Sequence, residues 1–256
     1  MPNPKLSAVI ITKDAEGSVK DGLESVKCAD EIIVVDGFST DRTVEICKGY
    51  TDRIILSEFK GFAEERNKGI DSATGDWILQ LDADEVVTSG LAKALKEAMA
   101  SPGPYIGYKF RRKNFFLGHP MKYGGWYHYS AHFFKKGSGR YEGLIHERLK
   151  LNGQQGTIEA EIEHRPFTSI AQFVSRQNRY TTYEAKDILN EKGVIGKRAV
   201  MYNLYFKPAK LFWKFYLKKQ GFREGMIGFI FSALYSYVHF MKWAKYWELA
   251  YGQKAK

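Results

Sequence analysis

Trp77-Ile78-Leu79-Gln80-Leu81-Asp82-Ala83-Asp84-Glu85 decides how this chain is read. Its first five residues form a short, mostly apolar run, the mark of a buried strand. A strand buried on both faces does not tolerate charge, so Asp82 and Asp84 belong at its exposed C-terminal end. In open α/β sheets ligands bind at that end. Two convergent carboxylates suit a hard divalent cation, which usually also holds substrate phosphates. The motif therefore points to nucleotide-dependent chemistry. Taken alone, an Asp-x-Asp pair is a weak motif that reads better as two solvated strand-end acids; its place at the end of the fourth strand of an α/β array favours the metal.

Upstream, Leu6–Ile11 is another apolar run and ends at Thr12-Lys13-Asp14. Ser18 to Val26 has helical spacing. Glu31-Ile32-Ile33-Val34-Val35 is β-branched and ends at Asp36-Gly37, and Ser39 and Asp41 offer caps for a helix running to about Tyr50. Arg53–Leu56 reads as a third strand, Phe62–Ser72 as a helix, Thr74-Gly75 as a turn and Asp76–Leu81 as the fourth strand. Ser89 opens a helix to Ala100. Strands alternating with helices predict an α/β fold, a doubly wound and mostly parallel sheet with helices on both faces. Ser101-Pro102-Gly103-Pro104 ends that regularity. The chain is aromatic and β-rich from Tyr105 to about His164, then helical and basic after Pro166. These shifts predict a first domain over 1–165, with halves 1–100 and 101–165, and a helical extension over 166–256.

The 256 residues are 44% hydrophobic, enough for a sizeable core. Cys28 and Cys47 cannot build a disulfide framework and fit a reducing compartment. The start, Met1-Pro2-Asn3-Pro4-Lys5, lacks the basic, apolar and small-residue order of a signal peptide. The net charge of +10 is unevenly spread: residues 1–164 carry −2 and residues 165–256 carry +12. That asymmetry points to an anionic partner for the C-terminal part, nucleic acid or anionic membrane. Gly225–Met241 holds seventeen residues without formal charge. A spanning helix needs about 20 apolar residues. This stretch is shorter and contains Ser232, Ser236 and His239, so an amphipathic or half-buried helix is expected.

Thr12, Asp36 and Asp82 are three polar strand ends converging on one edge, which suggests a nucleotide pocket. The Asp36–Asp41 segment also reads as turn chemistry. Arg66, on the helix before the acid strand, is either a solvated surface arginine or a contact to base or phosphate. His146-Glu147 offers an imidazole that can ligate a metal and a carboxylate that can act as general base. The same two residues also read as an ordinary strand or loop pair.

Together these motifs resemble the family 2 inverting glycosyltransferases of the GT-A fold. The likeness rests on the strand ending in Thr12, the turn Val34-Val35-Asp36-Gly37-Phe38-Ser39-Thr40-Asp41, the helix with Glu65-Arg66-Asn67, and Leu81-Asp82-Ala83-Asp84. The usual family turn is Val-Val-Asp-Asp-Gly-Ser-Thr-Asp; here Gly37 replaces the second acid and Phe38 replaces glycine. The resemblance implies a UDP-sugar donor, with Thr12, Asp36 and Arg66 on the nucleoside. It implies Mg²⁺ or Mn²⁺ on Asp82 and Asp84, with His146 completing the metal shell or touching the diphosphate. Glu147 is the implied catalytic base, with Glu85 as the alternative. Ile145-His146-Glu147, Lys218-Lys219-Gln220-Gly221-Phe222 and Gly225-Met226-Ile227-Gly228 further resemble the branch containing lipopolysaccharide core β-1,4-glucosyltransferases. That branch implies transfer of a hexose, glucose by analogy, to a saccharide or lipid-linked acceptor of the cell envelope.

A lipid-linked acceptor gives the basic C-terminal part a purpose at the inner face of the cytoplasmic membrane, with Phe212, Trp213, Phe215, Tyr216, Trp243 and Trp247 at the interface. The alternative is that these aromatics pack internally beneath a solvated basic face. A nucleic-acid partner is not expected, because acidic strand ends repel phosphates unless a metal intervenes. A nucleotidyltransferase typically has a Gly-rich basic loop after its first strand, which Thr12-Lys13-Asp14-Ala15-Glu16-Gly17 lacks.

Overall fold

The computed structural model describes residues 3–143 and 147–252. Strand β1 (Leu6–Thr12) is buried along its whole length. Leu6, Ala8 and Ile10 pack into one cluster with Val34, Leu79 and Leu81, while Val9 packs on the opposite face with Ile33 and Ile78. Helices cover both faces. α1 (Val19–Ser25), α2 (Thr43–Lys48) and α4 (Ser89–Ala100) bury Val19, Leu23, Cys47, Leu91 and Leu95 in the first cluster. α3 (Phe62–Ser72) buries Ala63 and Ile70 in the second. β2 (Glu31–Asp36) and β4 (Trp77–Asp82) flank β1 in parallel, and β3 (Ile54–Leu56) is parallel to β2. Thr12 lies opposite Asp36 and Ile11 opposite Asp82, so the three polar strand ends are level.

The rest of the sheet comes from β5 (Glu85–Val87), β6 (Gly107–Phe116), β7 (His119–Pro120), β8 (His128–Lys135) and β11 (Gln155–Phe167). The order is β3-β2-β1-β4-β8-β6-β11-β5, with β7 beside β6. From β4 to β8 the pairing turns antiparallel, and β11 against β5 places His164 opposite Glu85. β9 (Gly139–Glu142) and β10 (Arg148–Leu151) pair as a separate ribbon. On α3, Gly69 sits directly on β1: a Cβ there would overlap Val9 Cγ1 and meet Val35 Cγ2 at 3.1 Å. This close approach presses the turn carrying Glu65 and Arg66 onto the carboxyl edge of the parallel strands.

The chain forms two compact units, residues 1–113 with 128–165 and residues 114–127 with 166–256. The sequence had grouped residues 114–127 with the first domain. The second unit contains α5 (Ile170–Lys192), α6 (Lys197–Met201), α7 (Lys207–Trp213) and α8 (Gly225–Tyr251). Phe116, Phe167, Phe173 and Phe231 form one of its cores, with Phe116 and Phe231 ring centroids 5.5 Å apart. Ala185, Val200, Trp243 and Tyr246 form another. Trp243, placed at an exposed interface by the sequence reading, is buried against Tyr246 at 5.3 Å. Trp213 and Trp247 are exposed. The buried Ser232 and Ser236 hydroxyls donate back along α8 to the carbonyls of Gly228 and Ser232 at 2.7 Å, so this half-buried helix accommodates them. No described helix is long and apolar enough to cross a membrane.

Candidate active site

At the carboxyl edge of β1 and β2 the Gly37 amide donates to the Thr12 carbonyl at 2.9 Å. Asp36 is fully buried, and its oxygens accept the Ser39 amide at 2.8 Å and the Ser39 hydroxyl at 2.6 Å. Asp36 thus fastens the turn, and its carboxylate is enclosed there rather than open to the crevice. Neither Ser39 nor Asp41 caps α2. The cap position is Arg42, and Asp41 accepts the Thr43 amide at 3.0 Å. Phe38 stands half exposed with φ +60°, a left-handed conformation that costs a non-glycine residue about 1–2 kcal/mol. The Thr12 hydroxyl is buried and has no hydrogen-bond partner among the described residues.

Asp82 closes β4 between two guanidiniums. Arg66 Nη2, on α3, donates to one carboxylate oxygen at 2.7 Å, and Arg112 Nη2, on β6, donates to the other at 2.9 Å. Burial alone would raise the Asp82 pKa, but the two arginines outweigh it and hold the carboxyl down at about 2. Arg66 is buried, and its Nε donates to Glu147 Oε1 at 3.1 Å. Its guanidinium carbon lies 5.2 Å from the centroid of the Tyr141 ring. Glu85 is fully buried, accepts the Asp82 amide at 2.9 Å and pairs with Arg112 Nε at 2.7 Å. Burial pushes the Glu85 carboxyl up. Enclosed in this way, Glu85 is not placed to take a proton from an incoming hydroxyl, which corrects its standing as the alternative base. Beneath Arg66, His132 is hydrogen-bonded to Ser130 Oγ at 2.5 Å and Tyr141 Oη at 3.0 Å. Burial, then the arginine charges, bring its pKa down to about 3, so the imidazole is neutral.

Asp84 lies just beyond β4, with His164 Nε2 3.3 Å from its Oδ1. Asp82, Asp84 and His164 each offer a ligand atom, all within 4.8 Å of one another. Two carboxylates and an imidazole form a donor set that a divalent cation such as Mn²⁺ accepts, so these residues fit a metal. His146, the imidazole singled out in the sequence, lies outside the described residues. The structure thus brings Thr12 and Asp36 together at one turn, and Arg66, Asp82, Asp84 and Glu147 together beside it. Sequence reasoning passed over Arg112 and His164. The one local sign of His164 is its position just before Arg165-Pro166, where the β-rich region ends.

A family model described as Glycosyl transferase family 2 matches residues 7–148, more than half the chain. The chain belongs to that family. Its sheet, with parallel strands ending at an acid pair and an antiparallel continuation, is the GT-A arrangement the motifs implied. This family 2 glycosyltransferase is 26% identical to the lipopolysaccharide core biosynthesis glycosyltransferase LpsC of Rhizobium meliloti, over 97% of this chain and 94% of the relative. It is also 26% identical to an uncharacterized glycosyltransferase of Rickettsia typhi, over 96% and 88%. Among solved structures it is similar to S. aureus TarS residues 1–349 in complex with UDP-GlcNAc. That match has 13% identity and a TM-score of 0.49, covering 98% of this chain and 92% of that one.

Proposed function

We propose that the enzyme is an inverting, divalent-cation-dependent hexosyltransferase. By this reading it takes a UDP-sugar, glucose by analogy, and glycosylates a saccharide or lipid-linked acceptor in lipopolysaccharide core or other envelope glycan synthesis. The observation that carries this reading is the acid pair Asp82 and Asp84, with His164, level with the strand ends Thr12 and Asp36. The relative named for lipopolysaccharide core biosynthesis supports the pathway class. Residues 1–113 with 128–165 act as the catalytic domain, and residues 114–127 with 166–256 as the extension.

Thr12, Asp36 and Arg66 border the nucleoside end of the site. Asp82, Asp84 and His164 would hold the cation, with His164 in the imidazole role first assigned to His146. A bound Mg²⁺ or Mn²⁺ supplies Lewis-acid chemistry to the diphosphate. Arg66 and Arg112 add fixed positive charge where the leaving group becomes more negative. Glu147, oriented by Arg66, takes the proton of the acceptor hydroxyl as its oxygen attacks the anomeric carbon. The bond from that carbon to the diphosphate oxygen breaks on the opposite face, its electron pair leaves with UDP, and the configuration inverts.

The second unit carries the basic, aromatic surface that this reading places at the membrane. Residues 192–223 contain nine Lys or Arg and no acid. Tyr205, Phe206, Trp213 and Met226 are 55–71% exposed around them. Cations beside exposed aromatics suit an anionic bilayer face.

The test is calorimetric titration of UDP and UDP-sugars with Mn²⁺, Mg²⁺ or EDTA. Metal-dependent binding that disappears in Asp84→Ala supports the reading. Equal binding in EDTA refutes metal dependence. No binding of any UDP compound refutes the donor assignment.

A further inference from the structure

From Lys197 to Lys218 the backbone of the second unit is helical without a break, but two of its segments, Tyr202–Phe206 and Lys214–Lys218, are π-helical. Such turns are rare, and each takes more residues than an α-turn because its hydrogen bonds span five residues. Pro208 gives the first a local cause. It has no amide hydrogen, and in a regular α-helix its ring would meet the carbonyl of Leu204. No proline lies in or after the second. What the two turns share is an effect on phase. Between residues 201 and 218 two exposed residues alternate with two half-buried ones, a period of four. On an unbroken α-helix, positions four apart drift by about 40°, so from Met201 to Leu217 such a stripe would wind about 160°, to the opposite side.

Met201, Tyr205, Ala209, Trp213 and Leu217 are nevertheless all exposed, and so are Tyr202, Phe206, Lys210, Lys214 and Lys218 beside them. The wider π turns rotate less per residue and cancel the drift, which keeps both rows on one side. The residues between them face inward. Leu204 packs against the cluster of Trp243 and Tyr246, the rings of Phe212 and Tyr216 lie 5.5 and 5.8 Å from that of Phe229, and Phe215 lies 6.2 Å from Phe231. The two outward rows differ in chemistry. The first is without charge from end to end, and the second begins with two aromatics and continues as three lysines. An interfacial helix divides its surface in this way: the apolar row enters the acyl boundary while lysine stems reach back to the headgroup phosphates. A second copy of the chain would bring like charges to the same face, with no acid in residues 192–223 to meet them.

We propose that residues 201–218 lie in the plane of an anionic bilayer, with Met201, Tyr205, Ala209, Trp213 and Leu217 inserted and Lys210, Lys214 and Lys218 at the phosphates. This rests on the membrane reading above and is independent of the donor assignment. It goes beyond that reading by assigning the contact to insertion of one phased helix rather than to adsorption by the charge of the whole unit.

The experiment reads Trp213 in place. The full chain and Trp213→Phe are mixed with vesicles of phosphatidylglycerol and phosphatidylcholine whose acyl chains carry bromine near the headgroup, and tryptophan quenching is measured. Flotation then compares partitioning of the wild type, Tyr205→Gln/Leu217→Gln and Tyr237→Gln. Tyr237 is also exposed but lies outside both rows. All three substituted residues are exposed, so unchanged unfolding midpoints are expected and confirm that the variants fold. Quenching is expected in the wild type and should fall sharply in Trp213→Phe. The double variant is expected to lose at least about tenfold in partitioning, with Tyr237→Gln within about twofold of wild type. A wild type that floats without quenching of Trp213, or a double variant that partitions like the wild type, overturns insertion while the membrane reading stands. A wild type that does not float overturns both. Dimerisation without vesicles that the double variant abolishes assigns the rows to a second copy and also overturns the proposal.

Discussion

Arg66→Ala tests the charge architecture of the site most directly. The guanidinium lies 2.7 Å from Asp82 and 3.0 Å from Glu147. Removing one partner of a buried ion pair costs about 3–5 kcal/mol, because the other charge is left buried and uncompensated. Two features reduce that figure here. Asp82 keeps Arg112 at 2.9 Å, and the Asp82 and Glu147 side chains are 25% and 16% exposed, so water solvates part of the charge released. About 2 kcal/mol is then expected. For a chain of this size that lowers the unfolding midpoint by about 4–8 °C. The assay is thermal unfolding at neutral pH, followed by aromatic fluorescence. Arg66→Lys should recover only part of the loss, since an ammonium lacks the planar fork that reaches both carboxylates. A midpoint within 2 °C of wild type in Arg66→Ala would refute the reasoning, since it would mean that desolvation of Arg66 already offsets its pairing.

Gly69→Ala is expected to destabilise by about 1–3 kcal/mol, because its methyl enters the Val9 side chain, whereas Gly90→Ala in the open first turn of α4 is expected to stabilise by up to about 1 kcal/mol. Chemical denaturation of both variants checks the contrast, and a neutral Gly69→Ala would contradict the close packing of α3 on β1. Glu65 titrates near 4.5 when unfolded and near 7 when folded. The folded chain therefore binds this proton more tightly, and stability is lost as pH rises from about 4.5 through 7. The loss is on the order of 3 kcal/mol. Denaturation midpoints of wild type and Glu65→Gln should diverge over that window, and parallel profiles would count against it. The second unit is expected to float with anionic liposomes at low salt. Reversing Lys210, Lys214 and Lys218 to Glu removes three attractive charges worth about 1 kcal/mol each, a loss of at least about 100-fold in partitioning. Undiminished flotation of that triple variant would sink the membrane assignment.

The parallel half was legible because of what burial demands of it. β1, β2 and β4 are largely enclosed, so each appears as a mostly apolar run with a polar residue at its carboxyl end, and those residues are Thr12, Asp36 and Asp82. α3 and α4 match their sequence-derived ranges because Thr74-Gly75 closes one and Thr88-Ser89 opens the other. Trp243 was misplaced by composition, since lysines surround it, although spacing held the answer. Phe231, Ser232, Ser236, Trp243 and Tyr246 recur on one helical face, and all are buried. The antiparallel half was harder to read because its strands are only partly enclosed and pair with distant segments. β6 continues through residue 113 into the second unit with no compositional break, so nothing in the sequence marks where the chain leaves. The same non-local pairing hid half the site. Arg112 reaches Asp82 from β6, and His164 reaches Asp84 because β11 pairs with β5 opposite Glu85. An acid pair on one strand end is local information. The charges that fix its ionisation and the imidazole that completes the candidate metal site come from the strands that close the sheet, so only the folded topology identifies them.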